Sequence, residues 1–215
     1  MLTYRQAKKF YDSFGAKQDK QFYEKAAVRQ LIQYAKFDEA GFIVEFGCGT
    51  ASLASRLLNT VLSDDCRYIG IDISETMIAL CNENLKHYQD RASCVSSKGK
   101  PEINLPDKAA DRFVSNYVLD LLSDSDASAL INEAYRVLVT GGYLCLASLT
   151  NGNTFGSRMI ARAWKALYRL RPTLVGGCRP VKLTTYLDSG QWRVIHNSVV
   201  VSYAVPSEVL IAQKR

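Results

Sequence analysis

The sequence predicts an α/β domain built on a doubly wound, mostly parallel sheet. Short apolar runs alternate with stretches of helical periodicity, the pattern of successive strand–helix units. The run Phe42-Ile43-Val44-Glu45-Phe46 turns through Gly47-Cys48-Gly49 into a helix start at Ala51-Ser52-Leu53-Ala54. A second run, Arg67-Tyr68-Ile69-Gly70-Ile71-Asp72, ends in a carboxylate. The chain has 215 residues, 47% of them apolar, enough for one domain with a substantial core.

The elements follow in order. Residues 1–40 read as helical, with aromatic pairs at Phe10-Tyr11 and Phe22-Tyr23 around a polar turn over 12–19. They form either a packing arm or a lid. The first strand is 42–46. A helix follows with Ala54, Leu57, Leu58 and Val61 at i, i+3, i+4 and i+7. The second strand is 67–72, and Ser74 caps a helix running to about His87 with Met77, Ile78 and Cys81 inward. The third strand is 92–96 and the fourth 112–117. Asp124 or Ser125 opens a helix with Ala127, Leu130, Ile131, Ala134 and Leu138 inward, ended by Gly141-Gly142. The fifth strand, 143–149, is a continuous apolar run, as a central parallel strand requires. Residues 151–190 are a helical insertion, and 191–215 hold two strands bending at Pro206.

The glycine turn admits two nucleotide readings. Glycine lets the backbone take positive φ and approach a ligand, so a Cβ at Gly47 is expected to fill ligand space. The free N–H groups at the helix start favour an anionic group. A dinucleotide site needs a third glycine or alanine where this chain has Ser52, and no Gly-Lys-Ser/Thr occurs. Asp72 lies where a mononucleotide-binding unit places the residue that holds ribose hydroxyls.

Glu45, Gly47, Gly49 and Asp72 match, residue by residue, the E/D-x-G-x-G-x-G turn and the second-strand acid of the class I S-adenosylmethionine-dependent methyltransferases. Ala51 stands at the third glycine. The chain resembles that superfamily over about 42–150, including Asp111 to Asn116 and Arg136-Val137-Leu138 to Gly141-Gly142, and within it the small-molecule branch of type 11/25. The resemblance implies a Rossmann-like, seven-stranded sheet with an antiparallel C-terminal pair. It implies S-adenosyl-L-methionine as cofactor, held by Tyr11, Glu45, Gly47, Cys48, Gly49, Asp72, Ile73, Met77, Ser97 and Asn116. Ser97 stands where the family carries an adenine-side Asp. Methyl transfer from a sulfonium is an in-line displacement that needs alignment and exclusion of water more than a base.

Tyr117 and Asp120 follow the fourth strand at the carboxyl edge of the sheet and are candidates to contact the acceptor, with Asp120 also a candidate catalytic group. The alternative for Asp120 is local backbone bonding. His87 reads as solvent-facing and His196 as part of a late strand. The six cysteines, none spaced as C-x-x-C, read as free thiols in a reducing cytosol, with no metal cluster. No apolar run is long enough to span a membrane, and the N-terminus lacks signal-peptide build, so the expected location is cytoplasmic.

Net charge of +6 fits an anionic substrate or surface. Arg158, Arg162, Lys165 and Arg169 share one narrow helical face beside an apolar sector containing Met159, Ile160, Trp164 and Leu167. That pattern suits either peripheral contact with an anionic membrane or a solvated basic face with its apolar side toward the core. The expected activity is methylation of a small or lipid-like acceptor. The rivals are an RNA or protein methyltransferase and a non-catalytic cofactor-binding scaffold. No RNA-binding module or Asn/Asp-Pro-Pro-Tyr motif is present, so nucleic acid is not an expected partner.

Overall fold

A computed structural model describes residues 1–14 and 23–215. Gly15–Asp19 of the expected polar turn, and Phe22, lie outside the described residues. Among those described, the helices are α1 (Tyr4–Phe14), α2 (Glu24–Tyr34), α3 (Ser52–Thr60), α4 (Glu75–Asn84), α5 (Asp124–Val137) and α6 (Phe155–Leu170). The strands are β1 (Phe42–Phe46), β2 (Arg67–Asp72), β3 (Ala92–Ser96), β4 (Ala110–Asn116), β5 (Leu138–Leu149), β6 (Trp192–Ser202) and β7 (Val205–Lys214).

The strands form one seven-stranded sheet in the order β3-β2-β1-β4-β5-β7-β6. β7 runs antiparallel to β5 and β6, and the remaining pairs are parallel. The order reverses between β1 and β4, and the crevice outside the carboxyl ends of strands at such a point is where open α/β sheets bind ligands. β1 is buried along its whole length, and its two faces feed two apolar layers. Ile43 packs with Leu31, Ala54, Leu57 and Ile211 on one side. Val44 packs with Phe113, Leu130, Ala134 and Leu210 on the other.

Polar side chains fasten the connections. The Arg112 guanidinium donates to the carbonyls of Ala35 (2.8 Å) and Lys36 (2.6 Å), so β4 holds the α2–β1 connection. Asp111 Oδ2 accepts the N–H groups of Gly41 and Phe42 at 2.8 and 2.9 Å. Glu208 on β7 accepts the Leu183 N–H at 2.9 Å, which ties the segment after α6 to the sheet.

Three local expectations are corrected. α5 ends at Val137, and Gly141-Gly142 lie within β5 instead of stopping the helix. There the β4–β5 register jumps from Ala110↔Leu138 to Arg112↔Tyr143, and the positive φ of Gly141 (82°) serves that irregularity. The C-terminal strands turn at Tyr203-Ala204, both at positive φ (51° and 64°), while Pro206 lies within β7 opposite Val201. Cys81 and Cys94 are joined rather than free, because α4 packs on β3 and brings their Cα atoms within 6.3 Å. The inference from free thiols to a reducing compartment therefore loses its premise at this pair. No helix among the described residues is long and apolar enough to cross a membrane.

Candidate functional site

The loop after β1 is held by β2. The Gly47 and Cys48 N–H groups both donate to the Ile71 carbonyl, at 2.7 and 3.1 Å. Gly47, Gly49 and Ala51 all take positive φ (79°, 54° and 62°). A Cβ on Gly47 would collide with Cγ2 of Val118, so the β4 loop by itself excludes a side chain here. Ala51 takes the left-handed conformation without being glycine, at a cost of about 1–2 kcal/mol.

Asp72 closes the loop from the other side. Its Oδ2 accepts the Gly49 N–H (2.9 Å) and its Oδ1 the Ser74 N–H (2.9 Å). The Ile73 amide also faces this carboxylate, which can accept about four hydrogen bonds in all. Burial pushes its pKa up, and the Ser74 and Gly49 amides pull it back. Glu45 is buried under the same loop and accepts the Tyr68 hydroxyl at 2.7 Å. Burial pushes it up to about 7.

Two cavities share Gly47 and Asn116 in their walls. One, of about 450 Å³, is bounded by Glu45, Cys48, Gly49 and Asn116, with Lys25, Arg29 and Arg56 as its cations. The other, of about 110 Å³, lies under α1 against Tyr11, Asp72, Ile73, Ser97 and Tyr117. The structure thus brings together every expected cofactor residue except Met77. Met77 is fully buried and lines neither cavity, because the first turn of α4 directs it into the core while its N–H donates to Ser74 Oγ (3.2 Å). Asn116 Oδ1, between the cavities, is buried without a partner among the described residues, an acceptor left for a ligand.

Helix α1 is latched over the second cavity. Asp12 Oδ1 accepts the Ser74 hydroxyl at 2.6 Å and the Thr76 N–H at 3.4 Å. Those bonds, with Lys8 at 3.0 Å, hold its carboxyl below the usual range. Nothing in the sequence pointed to Asp12, since its partner Ser74 is 62 residues away. Lys25, Arg29 and Arg56 were missed for the same reason: α2 and α3, which wall their cavity, lie far apart in the sequence.

Asp120 is sealed beneath these cavities and lines neither. Its Oδ2 accepts the Leu149 N–H at 3.3 Å, and Oδ1 has no partner among the described residues, with the Ser148 hydroxyl and Arg179 nearby. Burial pushes its carboxyl up to about 7. Its charge is felt by Tyr11, Tyr23, Tyr117 and Cys178. Tyr117 takes positive φ (54°), and its hydroxyl donates to Ser207 Oγ at 2.9 Å. The histidines lie elsewhere: His87 is exposed and His196 stacks on Tyr34 at 3.8 Å. The Cys48 thiol lies 3.9 Å from Cys81 Sγ, beside the joined Cys81–Cys94 pair, a grouping that spacing along the chain did not reveal.

Residues 43–142 match the family model described as a methyltransferase domain. A carboxy-S-adenosyl-L-methionine synthase of Shewanella pealeana is 31% identical over 105 residues, 49% of this chain and 43% of that protein. A malonyl-[acyl-carrier protein] O-methyltransferase of a Marinomonas species is 26% identical over 163 residues, 75% of this chain and 54% of that protein. The matches thus span about half the length of these curated relatives. Among solved structures, the N-methyltransferase NodS of Bradyrhizobium japonicum, in complex with S-adenosyl-L-homocysteine, superposes with a TM-score of 0.68. It is 16% identical, with 89% of this chain and 87% of that one covered, a likeness of fold.

Proposed function

We propose, from the premise that residues 43–142 make this chain a member of the class I S-adenosylmethionine-dependent methyltransferases, that it methylates a small or amphiphilic acceptor. The observation that carries this reading is Asp72. Backbone amides of Gly49, Ser74 and Ile73 orient its carboxylate at the wall of a cavity, with acceptor capacity to spare.

The residues fit the cofactor. Asp72 would hold the two ribose hydroxyls, and Ile73 and Ser97 the base. Gly49, Glu45 and the free Asn116 oxygen would hold the methionine end, whose carboxylate suits Lys25, Arg29 and Arg56. When bound, S-adenosylmethionine supplies a methyl group on a good leaving group. The chain's own part is alignment and dryness: α1, latched by Asp12, covers the cavity, and Tyr117 marks the acceptor side. Asp120 is a positioning residue that holds the end of β5 through the Leu149 N–H. Neither histidine reaches the cavities, and no general base is assigned.

Radiolabelled methyl transfer tests the reading. Purified chain is incubated with labelled S-adenosylmethionine and separate pools of small alcohols and amines, lipids, RNA and protein. Label in the small-molecule or lipid pool is expected. Label in RNA or protein would replace the acceptor class, and tight cofactor binding with no transfer to any pool would favour a non-catalytic scaffold.

A further inference from the structure

Helix α6 turns its apolar side outward. Phe155 and Leu170 are 82% and 81% exposed, and Met159, Leu167 and Ile160 are 48%, 44% and 38% exposed. At 100° per residue these five occupy one continuous sector. Of the two arrangements open from the sequence, the one with this side toward the core is therefore set aside. The helix is anchored by the opposite side, where Ser157 and Ala161 are buried and Trp164 Nε1 donates to the Cys178 carbonyl at 3.1 Å. An ordinary surface helix has the reverse arrangement, and a contiguous exposed apolar patch marks an interaction site.

The charges say what it meets. Arg158, Arg162, Lys165 and Arg169 line one edge of the apolar sector, Arg171 follows, and the helix contains no Asp or Glu. None of these five cations is in an ion pair among the described residues. A hydrophobic groove on another protein would match the apolar sector but leave a row of unpaired cations. A surface that is apolar in depth and anionic at its rim matches both. The helix is about 24 Å long and its apolar sector runs end to end, so it can lie flat.

We infer that α6 docks the protein onto an anionic lipid bilayer, with Phe155, Met159, Leu167 and Leu170 among the acyl chains and the basic stripe at the headgroups. Behind the helix, Trp164 packs edge-on to Tyr23 (6.4 Å) and Tyr23 to Tyr117 (5.7 Å). Trp164 and Tyr23 thus lie between the docked helix and Tyr117, which lines the second cavity. Resting on the methyl-transfer reading, this makes a membrane-resident amphiphile the acceptor class.

Co-sedimentation of the full chain with phosphatidylcholine vesicles, with and without phosphatidylglycerol, tests the docking apart from methyl transfer. Binding is expected to the anionic vesicles at low salt and to weaken at high salt. The triple change Arg158→Gln, Arg162→Gln and Arg169→Gln should lower partitioning about a hundredfold, at about fivefold per charge. The double change Phe155→Ser and Leu170→Ser should also abolish binding, with circular dichroism and S-adenosylhomocysteine affinity unchanged in both. Failure of the wild type to bind anionic vesicles, equal binding to neutral ones, or unaltered binding by either variant would overturn the proposal. So would a lipid-free dimer that Phe155→Ser and Leu170→Ser dissociate, which would assign the face to a second copy. Failure of cofactor binding with vesicle binding intact would strike the methyl-transfer reading alone.

Discussion

Asp72 and Asp120 each follow an apolar stretch at the carboxyl edge of the same sheet, yet their surroundings differ. Asp72 has an amide on each oxygen at 2.9 Å and faces a cavity. Asp120 accepts the Leu149 amide at a longer 3.3 Å, keeps an oxygen without a partner among the described residues, and lines no cavity. The first environment pre-orients an anion for a ligand. The second makes ionisation costly and favours the protonated form. Placement at a strand end nominates a residue for binding, and the supply of oriented donors decides whether it binds.

The largest expected effect comes from the glycine loop on the Asp72 side. Gly47→Ala adds a Cβ against Val118 at φ 79°. Left-handed strain of about 1–2 kcal/mol and overpacking of about 1–3 kcal/mol should together destabilise the fold by several kcal/mol. Denaturant melting checks this, and a loss below about 1 kcal/mol would mean the loop is not clamped between β2 and the β4 loop.

The Asp120 side should show itself in pH dependence. Its folded-state pKa of about 7 lies above the unfolded value of about 3.9, so the folded chain holds the proton more tightly. The resulting stabilisation is fully present below about pH 4 and lost as pH rises through about 7. Glu45, also near 7, adds a slope of the same sign. Unfolding free energy should therefore fall between pH 5.5 and 8, and Asp120→Asn should flatten that fall by on the order of 2 kcal/mol. Parallel pH profiles for wild type and variant would show that Asp120 stays ionised.

A smaller effect belongs to the latch beside Asp72. Asp12→Ala removes the acceptor of the Ser74 hydroxyl and should free α1 at a cost of about 1 kcal/mol. Limited proteolysis within residues 1–14 should speed up, and added cofactor should slow it less than in the wild type. Identical cleavage rates would make α1 a passive arm.

Much of this was legible in the sequence. The bounds of β1, β2 and β3 agree with those expected, because each is a short apolar run between turn signals. Ser74 was legible as a cap because capping is local, and its side chain accepts the Met77 N–H. Contacts set by packing were not legible. Asp12 meeting Ser74, Val118 filling the space at Gly47 and Cys81 meeting Cys94 all join elements that only the fold brings together. The periodicity of α6 was plain, but periodicity does not say which side faces water. Met77 was carried into the site by resemblance, and the turn of α4 takes it out.

Titration calorimetry of S-adenosylhomocysteine into wild type, Asp72→Asn and Asp120→Asn tests the central distinction most directly. Charge-assisted bonds are worth about 1.5–3 kcal/mol each, so Asp72→Asn should weaken binding at least about tenfold. Asp120→Asn should stay within about threefold of wild type, since a sealed carboxyl makes no ligand contact. Wild-type affinity in Asp72→Asn, or an equal loss in Asp120→Asn, would contradict the assignment of cofactor binding to the β2 end of the sheet.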